Sequence, residues 1–304
     1  MSASVAPVAG APARTGQMGP GYLALVLLFC LTWSSAFPAA KMAIAVSPPA
    51  LFLGVRFTVA GLLLLGWAAL RGDLRGRMPW GRLAVLGLLN QACYQGLAWE
   101  GMRTTSAGLA TIITSLNPIL ISVIAAPLLG EALGMRRIAG LLLGMAGAVF
   151  VVRNRIALGE DPLGVAFICG SLVAAVAGTL YFKKADLQVS LVTAVGGQQF
   201  FAGLIALTVG LLTESPARII PSPQLALTML WFVVIVSVGG MLVWFQLLRK
   251  GSASAASSLH FLIPPLGLVM SWAALGERIN PTDLLGIIPV AAGIWLVTRG
   301  PVRK

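Results

Sequence analysis

Gln91, Gln95 and Trp99 recur at i, i+4 and i+8 of one apolar stretch, with Tyr94 beside them. On a regular helix the three share one face. Two amides supply donors and acceptors that match the amino and carboxylate groups of a zwitterion, and aromatic faces suit a variable side chain. The same amides could instead bridge neighbouring helices, and their spacing alone does not choose.

Pro118 and Pro264 sit within two further apolar stretches. A proline inside a helix frees the carbonyl four residues earlier, here those of Thr114 and His260, while Pro265 adds that of Phe261 and Pro38 that of Ser34 beside Trp33. Freed carbonyls at membrane depth persist where they face protein or a wet cavity, so these positions predict a cavity wall or a hinge, against simple packing kinks. Thr111, Ser115 and Ser257 add hydroxyls to the same surface, and Trp244 and Ser171 are weaker candidates. His260 is the one histidine; it could carry a proton, although a lone histidine is more often a packed, hydrogen-bonded residue. Arg56, near the outer end of its stretch, could attract anionic groups, although snorkelling or capping of carbonyls is expected first.

Acidic residues are missing from the depths of these stretches, Glu100 coming nearest. A proton cycle built on a desolvated carboxylate is therefore disfavoured. With no nucleophile–base pair or metal cluster, an enzyme is not expected, nor is a cofactor or metal. Sparse polar residues, rather than rings of them, argue against a channel. Cys30, Cys93 and Cys169 lie singly in apolar runs and read as small hydrophobes.

The elements that must position these residues are membrane helices. The 304 residues are 58% hydrophobic and 10% charged, where a soluble domain carries about a quarter charged residues. Apolar runs of about 20 residues, each enough to span a bilayer, recur at roughly 21–46, 50–71, 80–101, 105–129, 136–153, 162–184, 190–213, 224–248, 253–275 and 281–299. The first is read as a retained span rather than a signal peptide, and residues 1–20 as a disordered tail. The fold class is all-α integral membrane with ten transmembrane helices.

A net charge of +12 does not indicate nucleic acid, because the basic residues sit singly or in pairs in short connections. Of 21 Lys and Arg, Arg56 lies within the second span. Lys41, Arg103, Arg153, Arg155, Arg218 and Arg278 fall on one side, and the others on the side shared by both termini. The positive-inside rule makes that side cytoplasmic.

The chain is also doubled. A shift of 146 places Arg103 on Arg249, Ser106-Ala107 on Ser252-Ala253, Pro118 on Pro264, Gly130-Glu131 on Gly276-Glu277, Gly140 on Gly286 and Gly147 on Gly293. A shift of 143 places Gly21 on Gly164 and Lys41 on Lys184. Each half holds five spans, and an odd number inserts the second half upside down, the arrangement of inverted-repeat carriers. The Gly-Glu pairs are expected to end or cap helices, and Gly140 and Gly144 to pack within the fold.

Ala98, Thr105-Ser106-Ala107, Ala110, Pro118, Leu129-Gly130-Glu131, Gly140 and Gly147 resemble the EamA-type domain of the drug/metabolite transporter superfamily. Gly251-Ser252-Ala253, Ala256, Pro264, Leu275-Gly276-Glu277, Gly286 and Gly293 resemble its second copy, and Arg56-Phe57 resembles the arginine of its second helix. The resemblance implies two repeats, 21–155 and an inverted 162–299, in a ten-helix exporter most similar in kind to amino-acid exporters. Such a carrier would work by alternating access as a facilitator or exchanger, from the cytoplasm across a bacterial inner membrane. Its cavity would be lined by spans one, three, four, six, eight and nine, with a small-molecule substrate and the lipid bilayer as its partners and a monomeric state. A proton-coupled multidrug or metabolite exporter of the same fold is the alternative.

Overall fold

The computed structural model describes residues 20–114, 116–117, 120, 124, 135–157, 159–185, 187–241, 243 and 263–298. Among them there is no strand. The helices are α1 (Pro20–Ile44), α2 (Pro49–Leu70), α3 (Trp80–Gly87), α4 (Tyr94–Gly101), α5 (Ala107–Thr114), α6 (Met135–Ala157), α7 (Pro162–Lys184), α8 (Leu191–Thr213), α9 (Pro223–Leu230), α10 (Ile263–Leu275) and α11 (Pro281–Thr298). Helix α3 runs into α4 through a π-helical stretch, Leu88–Cys93, and a second such stretch, Trp231–Gly240, continues α9.

Ala24–Ile44, Pro49–Leu70, Pro162–Phe182, Leu191–Thr213 and Pro223–Gly240 are each long and apolar enough to cross a membrane. Their outer faces expose large apolar side chains such as Leu63, Val173, Leu212 and Leu227. Apolar surface on this scale is stable against lipid rather than water. The chain is a multi-pass membrane protein.

Glycine sets how closely the helices approach. A β-carbon on Gly54 would meet Leu207, one on Gly61 would meet Phe200, and one on Gly210 would meet Leu51. Rising numbers on α2 thus face falling numbers on α8, and the two helices run antiparallel with their backbones nearly touching. Helices α6 and α11 form a similar antiparallel pair, Gly147 against Gly286 and Gly293 against Gly140 and Gly144. The Gly140 and Gly144 pair therefore packs within the fold. Helices α4 and α7 are antiparallel too, Gly101 against Gly164 and Gly178 against Asn90. Helix α1 is part of the core, with Phe29 and Cys30 buried.

One expectation is corrected. Spans three and eight are not uninterrupted α-helices, because each contains a π-helical stretch with a wider turn. Where Asn90 lies in the first of them, its side chain presses on Gly178 of α7. Residues 1–19, the second half of span four and the junction of spans eight and nine lie outside the described residues.

Candidate functional site

Arg56 is the seventh residue after the proline that begins α2, about 10 Å into the helix at its rise per residue. It neither snorkels nor caps carbonyls, as was expected of it. Its side chain is 2% exposed. Nε donates to Ser237 Oγ at 3.1 Å and Nη1 donates to Gln95 Oε1 at 2.7 Å. The guanidinium also lies over the rings of Phe57 (4.8 Å) and Phe232 (4.3 Å). No carboxylate among the described residues pairs with it.

The network extends from there. Gln95 Nε2 donates to Gln91 Oε1 at 2.7 Å, so the two amides predicted to share a face do meet, although the π-helical stretch intervenes. Gln199 Nε2 donates to the Ser237 carbonyl at 3.4 Å. Gln199 Oε1 is buried without a partner among the described residues. Asn90 Nδ2 donates to Gln198 Oε1 at 3.3 Å. Tyr94 is half-buried and within electrostatic range of Arg56.

Trp99 is 4% exposed and wedged between Phe52 (5.3 Å) and Phe232 (5.1 Å). Trp33 is half-buried and stacks on Phe29 at 5.2 Å. Buried Ser34 donates to the carbonyl of Ile263 on α10 at 3.4 Å. Thr111 and Ser171 turn their hydroxyls back onto their own helices, at Ala107 and Ile168, and Thr111 packs on Gly267 of α10. Ser115, Trp244, Ser257 and His260 lie outside the described residues. The structure thus brings together Gln91 and Gln95, sets Trp99 against Phe52 and Phe232, and turns the Thr111 and Ser171 hydroxyls onto their own helices.

Sequence reasoning did not single out Ser237, Gln198 or Gln199, which hold these polar contacts. Two adjacent glutamines in an apolar span were a legible signal, since intramembrane polar groups mark function by default. An apolar cavity of about 500 Å³ lies elsewhere, between α1, the start of span eight and α10, lined by Pro38, Met42, Leu227, Trp231 and Met270 among others. It holds no charged group and none of the network residues.

At one end of the bundle carboxylates cap helix N-termini, where they satisfy free N–H groups and the helix dipole. Glu277 accepts from Ala107 N (2.9 Å) and Gly108 N (3.2 Å), and Glu160 accepts from Ser106 N at 2.9 Å. Glu214 accepts from Ala50 N (3.0 Å) and Leu51 N (2.9 Å). Gly276, at φ +66°, ends α10 and turns the chain so that Glu277 follows at once. The second Gly-Glu pair therefore does terminate and cap helices, though the cap is on α5; the first pair lies outside the described residues. Asp161 caps α7 from Leu163 N and Gly164 N. The Thr104 hydroxyl donates to it, and this bond, with those backbone donors, holds its carboxyl below the usual aspartate value. Buried Asp283, in the first turn of α11, is a further carboxylate at a helix start.

The EamA-like transporter family matches residues 20–153 and again residues 162–299. The uncharacterized transporter YvbV of Bacillus subtilis is 33% identical over 284 residues, covering 92% of this chain and 93% of the relative. A probable terminal-alkyne amino-acid exporter of Streptantibioticus cattleyicolor is 29% identical over 283 residues, covering 90% and 92%. The uncharacterized inner membrane transporter YedA of Escherichia coli is 24% identical over 289 residues, covering 94% and 93%. A protein of known crystal structure matches with a TM-score of 0.66 at 18% identity, over 91% of this chain and 96% of its own; at that identity the likeness is one of fold.

Proposed function

Because the chain belongs to the EamA-like transporter family, we propose that it is an alternating-access carrier that exports amino acids, aromatic ones included, from a bacterial cytoplasm across the inner membrane. The observation that carries this reading is the polar network of Arg56, Gln95, Gln91, Ser237 and Gln199. It joins both family-matched halves inside an otherwise apolar bundle, where polar groups are costly unless they serve a pathway. A relative named as an amino-acid exporter supports the substrate class.

In this reading ten spans form two inverted five-helix repeats, with both termini cytoplasmic. Helices α2 and α8 fall in different family-matched halves and run antiparallel, as do α6 and α11, which supports the inversion. The basic-residue bias then turns the Glu277 end outward, so the carboxylate caps act as an outer latch. Gln91, Tyr94, Gln95 and Trp99 face the substrate path, together with Trp33, Ser34, Thr111, Ser115, Trp244, Ser257 and His260. The carrier works as a facilitator or exchanger.

The test is counterflow: purified protein in liposomes loaded with unlabelled amino acids, with labelled uptake followed and no ion gradient imposed. Saturable uptake supports the carrier. Absence of uptake for every amino acid overturns the substrate class. Glu100→Gln should leave counterflow intact; loss of transport in Glu100→Gln or His260→Ala solely when a pH gradient drives export would move the reading to proton coupling.

A further inference from the structure

We propose that Arg56 anchors the carboxylate of the transported molecule and that Gln199 receives its neighbouring ammonium group. The inference rests on the carrier reading and adds to it the residues that read the substrate's head group.

A guanidinium withdrawn from water is expensive unless it is paired. Among the described residues the partners of Arg56 are an amide oxygen, a hydroxyl and two ring faces. They solvate the cation and leave its charge uncancelled. Nε and Nη1 are engaged, whereas Nη2 donates to no described residue. Gln95 Oε1 lies on Nη1 where one carboxylate oxygen would lie, and the Gln95 amide is held on its other side by Gln91. An amide is a neutral stand-in that can yield its place. A carboxylate replacing it would engage Nη1 and Nη2 together, the bidentate pairing that suits a guanidinium.

Gln199 provides the second point. Its side chain is 2% exposed, and its Oε1 is buried with no partner among the described residues. Buried polar atoms are rarely left so. Ser237 holds both residues in place, taking the Arg56 Nε–H on its hydroxyl and the Gln199 amide on its carbonyl. A fixed cation and an acceptor with no described partner are therefore both tied to Ser237, and an α-amino acid carries its anion and its N–H donors on one carbon. Phe232 lies against the guanidinium and Trp99 against Phe232, which places an aromatic wall next to the head-group site.

The experiment titrates the purified full chain in detergent with phenylalanine, phenylalaninamide (no carboxylate) and 3-phenylpropionate (no amine). Phenylalanine should bind at least about tenfold more tightly than either analogue, the scale of one lost charged hydrogen bond. Arg56→Lys should weaken phenylalanine and 3-phenylpropionate while leaving phenylalaninamide unchanged. Gln199→Met, close in volume and apolar, should abolish the preference for phenylalanine over 3-phenylpropionate. Equal binding of phenylalanine and its amide overturns the proposal, as does a preference that survives Gln199→Met or an absence of binding by all three. Wild-type counterflow is read separately: flux with equal binding sinks the head-group site alone, whereas no flux of any amino acid sinks the substrate class on which the site rests.

Discussion

Glu277 accepts the backbone N–H of Ala107 at 2.9 Å across 170 positions of sequence. Glu277, two residues beyond α10, therefore caps α5 and ties the second family-matched half to the first. A carboxylate cap works through charge as well as hydrogen bonding, and Glu277→Gln keeps the size while removing the charge. With Cys30, Cys93 and Cys169 replaced, a cysteine at buried Ala110 should react with an impermeant maleimide about tenfold faster in Glu277→Gln, the effect of weakening the latch by one charged bond. An unchanged rate would mean that the cap does not gate that end.

At the centre, Gln95→Leu removes the acceptor on Arg56 Nη1. It should cost about 1–3 kcal/mol, the range for a buried donor left without a partner, seen as a lower melting temperature in detergent. Gln95→Glu should do the reverse, raising the melting temperature by pairing the guanidinium while suppressing phenylalanine binding. A melting temperature unmoved by both changes would show that Arg56 does not depend on Gln95.

The membrane class and the position of five of the spans were legible because lipid imposes one rule on every residue of a span: be apolar and helical. The Gln91–Gln95 contact was legible for the same reason, since four-residue spacing survives moderate distortion of a helix. Arg56 was misjudged because its solvation comes from Ser237, on a different span, and from ring faces that no local pattern announces. The π-helical stretches were invisible. Leu88–Cys93 reads as ordinary apolar helix, and its widening coincides with Asn90 meeting Gly178 of another helix.

The α2–α8 seam makes a sharp contrast between glycines. A β-carbon on Gly203 would strike the backbone and hydroxyl of Thr58, whereas one on Gly66 would meet nothing within 4 Å. Gly203→Ala should destabilise the protein by about 1–3 kcal/mol through overpacking, while Gly66→Ala should stabilise it by up to about 1 kcal/mol through helix propensity. Thermal denaturation of the two variants in one detergent decides this; equal effects would contradict the close seam.

Asp161 gives a pH dependence. Its folded pKa is lowered by the Thr104 hydroxyl and the α7 N–H groups, so its contribution is present above the unfolded value of about 3.9 and is lost as pH falls through the lower folded value. The melting-temperature gap between the wild type and Asp161→Ala should stay level from pH 7 to about 5. It should narrow only in stronger acid. A gap already shrinking between pH 7 and 6 would show that some other group controls this cap.

The two π-helical stretches, Leu88–Cys93 and Trp231–Gly240, hold slack. Each wide turn houses more chain than an α-turn of the same height, and releasing one residue of it would swivel everything beyond by about 100°. Such a swivel would carry Ser237 away from Arg56, or Gln95 away from its guanidinium, without unfolding a span or parting the α2–α8 seam. The close α2–α8 seam has no such slack, so rewinding of this kind would be confined to spans three and eight.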